Sequence, residues 1–338
     1  MRFKILLAAL VLPLALAACD RPMAMGSPNG IMAAMPMERW EALRDDIEEA
    51  LEPRAFTVRD ERMFQVTHAN PADERWPRVR EFRRLLVVGH PDEPWMRDAV
   101  RAADYDVSAL PAVVEARDVW ARGQQVILVL LPDPGDEDAA RPILDDAGSL
   151  VRADFNRWVY RRMYASGVNE EMIDEMEATT GARMQVPAVY RGEVVGENTY
   201  RVRNDHPDPS ELIRTVLVTS RAGTDGEISP EEALTWRTLI AEEAYRQPQT
   251  TETDRIEAAT VRTQGAEGVQ IQGVWSSAPG EWPAAGPFIS RMLRCPAQDR
   301  TYLVDAWLYA PARDKYEFLL QLNAILDSFT CDRPVATG

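Results

Sequence analysis

The chain has only three cysteines and three histidines among its 338 residues, and therefore few side chains suited to bind a transition metal. His68, His90 and His206 are far apart, and neither a His-x-x-x-His nor a paired-cysteine spacing occurs. Each histidine adjoins a pattern typical of a turn or a strand end, which favours solvated loop residues. The sequence therefore predicts neither a metal site nor a cofactor.

Catalytic signatures are also missing. No Gly-x-Ser-x-Gly motif surrounds a nucleophilic serine, and no glycine-rich loop is suited to phosphate. The 54 acidic side chains offer many carboxylate pairs, but a sequence gives no separations between them. We therefore predict no catalytic residue, and a hydrolase that uses unrecognised carboxylates stays as an alternative.

Positive charge is scarce, with 38 basic against 54 acidic side chains and a formal net charge of −16. Nucleic-acid binding normally requires a basic face, so this balance argues against a nucleic-acid partner. Lysine is the rarest cation, since Lys4 and Lys315 are the only two. The acidic loop from Asp133 to Asp138 lacks the twelve-residue calcium spacing and is expected to cap the helix after it.

The longest apolar run lies near the start of the chain, from Ile5 to Leu16. It follows two basic residues and is too short to span a hydrocarbon core of about 30 Å as a helix. A basic start, a short apolar core and small residues are typical of a secretory signal. Cys19 comes directly after Ala17-Ala18, so this stretch resembles the lipobox of bacterial lipoproteins.

That resemblance implies a signal peptide over residues 1–18 and a lipid on Cys19 that anchors the mature chain to a membrane. We expect the outer membrane, with the outer face of the inner membrane as the alternative because Asp20 follows the cysteine. The other interpretation is an ordinary signal with a coincidental cysteine.

Two further cysteines, Cys295 and Cys331, form an even pair in a chain expected to be exported. Such a pair suggests a disulfide, whose loop closure stabilises by about 4 kcal/mol in the chain-entropy model. Two unpaired thiols packed as small apolar groups are the alternative.

The length after the signal suggests two domains. Runs with strand and helix periodicity alternate along the chain, which predicts an α+β protein of two domains, each a mainly antiparallel sheet packed with helices. The expected segments are a tether (19–30), an N-terminal domain (31–165), a connecting helix (166–182), a C-terminal domain (183–331) and a tail (332–338). Ser229-Pro230, with Glu232 two residues later, predicts a capped helix start.

The stretch from Gly273 to Pro287 is rich in glycine, proline and small residues and carries two tryptophans. Trp275, Trp282 and Pro287 are therefore predicted to form a contact loop, because aromatic anchors bind at low entropic cost. The alternative is a long hairpin whose tryptophans cover the core.

Several short motifs occur in a characteristic order: Asn29-Gly30, Arg117 to Ala121, Gly273-Val-Trp275, Gly286-Pro-Phe288 and Leu308 to Pro311. With the lipobox, they resemble the bacterial lipoproteins grouped as domain of unknown function 4837. Residues 183–329 resemble the α/β/α sandwich of Mog1, PsbP and DcrB-type proteins, most of which are binding or assembly factors.

The expected function is therefore a non-enzymatic accessory protein of the cell envelope, anchored by its lipid and bound to an envelope protein partner. A carrier of a small apolar ligand is a further alternative, which requires a cavity between sheet and helices.

Overall fold

The computed structural model describes residues 21–206, 211–245 and 247–331. The expected signal peptide, Cys19 and the expected tail 332–338 lie outside the described residues. Among the residues that are described, no helix is long and apolar enough to cross a membrane.

The first part of the chain contains, in order, β1 (Gly30–Ala34), α1 (Met37–Leu51), β2 (Arg54–Ala55), β3 (Glu61–Arg62), β4 (Gln65–Ala69), α2 (Trp76–Val79), β5 (Arg84–Gly89), α3 (Arg97–Ala103), β6 (Ala112–Arg117), β7 (Gln125–Leu130) and α4 (Leu144–Met163). The second part contains α5 (Glu170–Thr180), β8 (Arg191–Gly196), β9 (Thr199–Asn204), β10 (Ile213–Ala222), α6 (Pro230–Glu243), β11 (Gln249–Thr263), β12 (Ala266–Ser277), β13 (Ala285–Cys295), β14 (Arg300–Tyr309) and α7 (Tyr316–Asp327).

The chain divides into two compact units. Unit 1 comprises the residues up to Glu52 together with Phe64–Val151, and unit 2 comprises Pro53–Met63 together with the residues from Arg152 onward. The division lies earlier than the expected boundary at residue 165, and it places β2 and β3 with the second unit. The sequence does not reveal this excursion, because the alternating pattern over residues 56–66 predicts one continuous strand and not two segments that belong to different units.

Unit 1 is built on a five-stranded sheet of order β4-β1-β5-β7-β6. The pairings of β1 with β4 and β5, and of β5 with β7, are parallel, and only β6 pairs antiparallel with β7. The expectation of mainly antiparallel pairing is therefore wrong for this unit. Every residue of β5 and β7 is buried, and continuous apolar runs of this kind are typical of parallel strands covered on both faces.

The expected tether is also wrong over residues 22–25. Ala24 N donates to Arg122 O at 2.9 Å, and Arg83 N donates to Met25 O at 2.7 Å. These hydrogen bonds attach the segment to the rest of unit 1. In this way the backbone N–H and C=O groups of adjacent extended segments find hydrogen-bond partners.

Unit 2 is built on a seven-stranded sheet of order β11-β12-β13-β14-β10-β9-β8, and every pairing in it is antiparallel. One face packs against α5 and α7 through Met176, Leu322 and Ile325. The other face packs against α6 through Ala233 and Ile240. The α+β class is therefore confirmed, and this unit is an α/β/α sandwich.

In unit 2 the sequence predicts the start of α6 correctly but does not predict β8. The predicted start of α6 is confirmed, since the Ser229 side chain accepts a hydrogen bond from Glu232 N and Pro230 is the first helical residue. The polar composition of residues 191–198 predicts a turn, but the structure has β8 at Arg191–Gly196. β8 is an edge strand with little buried surface, so it lacks the apolar alternation that marks an inner strand.

The predicted disulfide joins Cys295, at the end of β13, to Cys331, which follows α7. Both cysteines are buried, and Arg183 N donates to Thr330 O at 3.0 Å beside them. The disulfide and this hydrogen bond fix the end of the described chain to the sheet.

Removal of the disulfide tests its contribution. The loop that it closes spans a sequence separation of 36, so we expect Cys295→Ala/Cys331→Ala to lower the free energy of unfolding by about 4 kcal/mol through a less constrained unfolded chain. Urea denaturation measures this loss. An unchanged midpoint would show that the cross-link does not stabilise the unit.

A buried ionic cluster lies between α6 and the sheet of unit 2. The side chains of Arg237 and Asp305 have no exposed surface and lie 3.4 Å apart. Arg237 Nη2 donates to Gln249 Oε1 at 2.7 Å, and Asp305 accepts hydrogen bonds from the hydroxyls of Tyr245 and Ser290. Burial, reinforced by the Asp305 carboxylate, raises the pKa of Tyr245 well above its usual value. The cluster is fully enclosed, which makes it structural.

Removal of one partner from this cluster should be costly. We expect Arg237→Met to lower the free energy of unfolding by about 3–5 kcal/mol, because Asp305 would stay buried without its counter-ion. The matched control is Arg262→Met, since Arg262 is 84% exposed and pairs with Glu267 at the surface. Equal denaturation midpoints for the two variants would contradict this assignment.

Candidate functional site

A cavity of about 280 Å³ lies in unit 2, between the sheet and α7. Three parts of the unit enclose it: the β2–β3 segment, the strands β11 to β13, and α7. Its lining comprises Arg54, Ala55, Phe56, Asp60, Met63, Glu257, Gln272, Pro287, Phe288, Ile289, Tyr316, Leu319, Leu320 and Asn323.

Strand register forms the sheet wall of the cavity. Glu257 pairs with Gln272, and Gln272 pairs with Ile289, so the three side chains form a row across β11, β12 and β13. Gln272 Nε2 donates to Glu257 Oε2 at 2.6 Å. Pro287, two residues before Ile289, lies on the same face of β13. The wall is therefore polar at β11 and apolar at β13.

The helical wall is a single stripe of α7. Tyr316, Leu319, Leu320 and Asn323 follow the three- and four-residue spacing of one helix face. The Tyr316 ring stacks on Phe155 with centroids 5.6 Å apart, and burial raises the pKa of Tyr316. This stacking fixes the first residue of α7 at the cavity.

The third wall is the segment 53–63, which we call the hairpin cover. β2 and β3 pair through Arg54 with Arg62 and Ala55 with Glu61, and Met63 N donates to Pro53 O at 2.9 Å. The sequence pattern predicts one alternating strand over 56–66, so the hairpin was missed. The dipeptide strands are too short for periodicity to reveal them.

The predicted contact residues do not form one surface. Trp275 is buried on the α6 face, where its Nε1 donates to Leu308 O at 3.3 Å. Trp282 lies in the loop 278–284 and is 79% exposed, and Pro287 lines the cavity on the α7 face. Most of the stretch 273–287 is strand, so for Trp275 the alternative of a tryptophan in the core is the one that the structure shows.

Substitution of the two tryptophans separates their roles. We expect Trp275→Ala to lower the free energy of unfolding by about 3–5 kcal/mol through the cavity that it leaves. Trp282→Ala should change stability by no more than about 0.5 kcal/mol, since its ring is exposed. Thermal and urea denaturation of both variants provides the comparison, and a large loss for Trp282→Ala would contradict the exposed placement.

The three histidines lie in different surroundings. His68 stacks on Trp40 with centroids 5.3 Å apart, and its Nε2 lies 2.9 Å from Met35 O. His90 lies at the end of β5, and His206 lies 3.9 Å from Asp205. Within the described ranges, no group of three or more histidine, cysteine or acidic side chains is arranged to hold a metal ion.

The acidic loop after β7 has a more specific role than dipole compensation. Asp136 accepts a hydrogen bond from Ala139 N and caps a short 3₁₀ turn, whereas the sequence predicts that the loop caps the next helix, which begins at Leu144. Glu137 pairs with the buried Arg39 at 3.2 Å. Glu93, just after β5, pairs with the same arginine at 3.0 Å. This cluster ties the carboxyl ends of strands in unit 1 together.

Unit 1 has a cavity of its own, of about 340 Å³, near the carboxyl end of β4. Met32, Met37 and Trp76 form its apolar part. Asp73 and Arg75 lie on its rim and pair with each other, and the hydrogen bonds from Arg75 lower the pKa of Asp73 to about 2. The cavity between the sheet and α7 is the stronger candidate, because apolar side chains line it from three sides.

The second unit is an α/β/α sandwich with a cavity between sheet and helix, and a comparison with family models finds a match within this unit. Residues 169–328 match the model described as Domain of unknown function (DUF4837). The resemblance expected from the motifs is therefore confirmed over these residues, which include most of the cavity lining. The motifs at Asn29-Gly30 and at 117–121 lie outside the match.

Solved structures with some similarity include the Ran-binding protein Mog1p of Saccharomyces cerevisiae, at 13% identity over 45% of this chain and 90% of that chain, with a TM-score of 0.32. LpqN of Mycobacterium tuberculosis, described as involved in cell envelope biogenesis, is 15% identical over 44% of this chain and 82% of that chain, with a TM-score of 0.29. TM-scores this low carry no argument about function. A comparison with curated proteins finds no match.

Proposed function

We propose that this protein is a lipid-anchored binding protein of the bacterial cell envelope, whose second unit takes up a small uncharged amphiphile. The observation that carries the proposal is the cavity of about 280 Å³ between the sheet and α7. Its size is close to the lower end of the range of about 300–1,000 Å³ common for ligand sites. A short chain or a single ring system therefore fits better than a large ligand.

The lining indicates the apolar part of the ligand. Phe56 and Met63 of the hairpin cover, Ile289 of β13, and Leu319 and Leu320 of α7 supply hydrocarbon and aromatic surface from three sides. Burial of apolar ligand surface there is favourable at about 25 cal/mol per Å². This is the chemistry of a hydrocarbon chain or an apolar ring.

Polar groups of the lining indicate the other part of the ligand. Gln272 and Asn323 are amides that both donate and accept hydrogen bonds, which suits hydroxyl or amide groups. The lining has one cation, Arg54, and two acids, Asp60 and Glu257. Arg255, outside the lining, pairs with Asp60 at 3.0 Å, so the charges balance once it is included. A charged ligand would lose hydration, and the lining offers no unpaired charge of opposite sign to compensate. The site therefore favours an uncharged head group.

Export and anchoring are supported by the sequence: a short apolar signal, Ala17-Ala18 before Cys19, and an acidic mature chain. We place the protein in the outer membrane, with the outer face of the inner membrane as the alternative. A disulfide between Cys295 and Cys331 fits an oxidising compartment.

An envelope protein partner is the second candidate. The observation that favours it is the 79% exposed Trp282, an aromatic side chain of the kind enriched in protein interfaces. Hydrolysis is less favoured, because the cavity carboxylates of Asp60 and Glu257 already accept hydrogen bonds from Arg255 and Gln272.

Binding of defined amphiphiles tests the proposal. Octyl glucoside, octanoate and octyltrimethylammonium share one tail and differ in the charge of the head group. We expect calorimetric titration of the soluble Cys19→Ala protein, below the micelle concentration, to give a dissociation constant at least tenfold lower for octyl glucoside than for either ion.

Leu320→Trp, which places an indole in the cavity, should weaken octyl glucoside binding at least tenfold. The matched control is Leu239→Trp on α6, where the leucine is 51% exposed on the other side of the sheet. Equal binding by the two variants, or no binding by the parent protein, would contradict the proposed function.

A further inference from the structure

The hairpin cover depends on the rest of unit 2 for its structure. Its two strands have two residues each, and an isolated hairpin even of normal length is only marginally stable in water. Five of its residues, Arg54, Ala55, Phe56, Asp60 and Met63, line the cavity. The cavity is already partly open to solvent, and displacement of the segment would widen that opening along one wall.

Arg255 on β11 is the first attachment point. Its Nη1 donates to Val58 O at 2.6 Å, and its Nη2 donates to Asp60 Oδ1 at 3.0 Å. Its guanidinium carbon also lies 4.9 Å from the centre of the Phe56 ring. One cation thus holds a carbonyl, a carboxylate and an aromatic ring of the cover.

Lys315, immediately before α7, is the second attachment point. Its Nζ lies 2.5 Å from Glu61 Oε1, and its backbone N donates to Glu61 Oε2 at 2.7 Å. The Glu61 carboxylate therefore lies at the amino terminus of α7, where the helix dipole favours negative charge. Lys315 is also the only lysine outside the expected signal peptide.

Both attachments are reversible by nature. The side chains of Arg255 and Asp60 are 33% and 44% exposed, and those of Lys315 and Glu61 are 13% and 25% exposed. Partly exposed ion pairs stabilise weakly and are screened by salt. The bond from Met63 N to Pro53 O closes the base of the segment, so the cover can move as one piece about its base.

We propose that the hairpin cover is a gate whose displacement widens the entrance to the cavity, and which the ion pairs of Arg255 and Lys315 hold in place. This inference rests on the proposed function and adds its regulation: ligand exchange should be slow when both pairs are made and faster when they are screened or removed. Loop movements of this kind commonly limit ligand exchange.

Hydrogen exchange of the soluble Cys19→Ala protein tests the movement without any ligand. In Arg255→Met/Lys315→Met, we expect amide exchange over 54–63 to be at least tenfold faster than in the parent, with other peptides of unit 2 unchanged. The matched control is Arg221→Met/Arg262→Met, which removes two surface ion pairs of the same unit away from the cover. Equal exchange over 54–63 in both double variants would overturn the gate.

A covalent lock tests the gating directly. A carbodiimide activates the Glu61 carboxylate, and attack by the Lys315 amine then forms an amide with net loss of one water, which intact mass detects. We expect octyl glucoside to associate at least tenfold more slowly with the locked protein. Lys315→Arg keeps the ion pair but cannot form the amide, so the reagent should leave its association rate unchanged.

The two experiments distinguish a failure of the gate from a failure of the proposed ligand binding. Unchanged association after locking, with binding intact, would overturn the gate and leave the ligand site standing. Faster exchange over 54–63 in the double variant, with no octyl glucoside binding by any form, would instead overturn the proposed function.

Discussion

The antiparallel sheet of unit 2 has two faces to bury, and the candidate ligand site depends on how one of these faces is covered. On the α6 face the helix packs closely and encloses even an ion pair, Arg237 with Asp305, with no exposed surface. On the other face α5 packs over β8 to β10 and α7 packs over β10 and β14, and a cavity stays beside β11 to β13. The hairpin cover forms one wall of that cavity.

The interactions that stabilise the body of unit 2 are stronger than those that attach the hairpin cover. The sheet, the disulfide and the enclosed ionic cluster involve buried groups whose loss is costly. The cover is attached by two cations at partly exposed positions, where each pair contributes little and responds to salt. A cavity with one wall attached through partly exposed ion pairs is suited to reversible binding.

Much of the fold of unit 2 could be predicted from the sequence. Ser229-Pro230 predicts the start of α6 through capping chemistry. Apolar periodicity predicts strands at 212–219, 269–275, 289–294 and 302–309 and a helix start at Asp314, close to the observed β10, β12, β13, β14 and α7. The pairing of Cys295 with Cys331 follows from the even number of remaining cysteines and the expected export of the chain. Edge strand β8 and the strands of the cover carry no such signal and were missed.

The parallel sheet of unit 1 and the cavity could not be predicted in the same way. Strand direction depends on which strands pair, and only the continuous apolar runs of β5 and β7 indicated burial on both faces. The cavity joins Asp60, Gln272 and Leu320 from distant parts of the sequence, and no spacing connects them. The sequence predicts Trp275 in a contact loop, because it is an aromatic residue in a glycine-rich stretch, but its ring packs in the core.

The most direct test of ligand uptake is a methyl NMR titration of the Cys19→Ala chain with octyl glucoside. If the cavity takes up the ligand, we expect shift changes at the methyl groups of Met63, Ile289, Leu319 and Leu320, which line it, and constant shifts at Ile271, Met292 and Leu303 on the α6 face. Shift changes on the α6 face, or none at saturating ligand below the micelle concentration, would contradict this uptake.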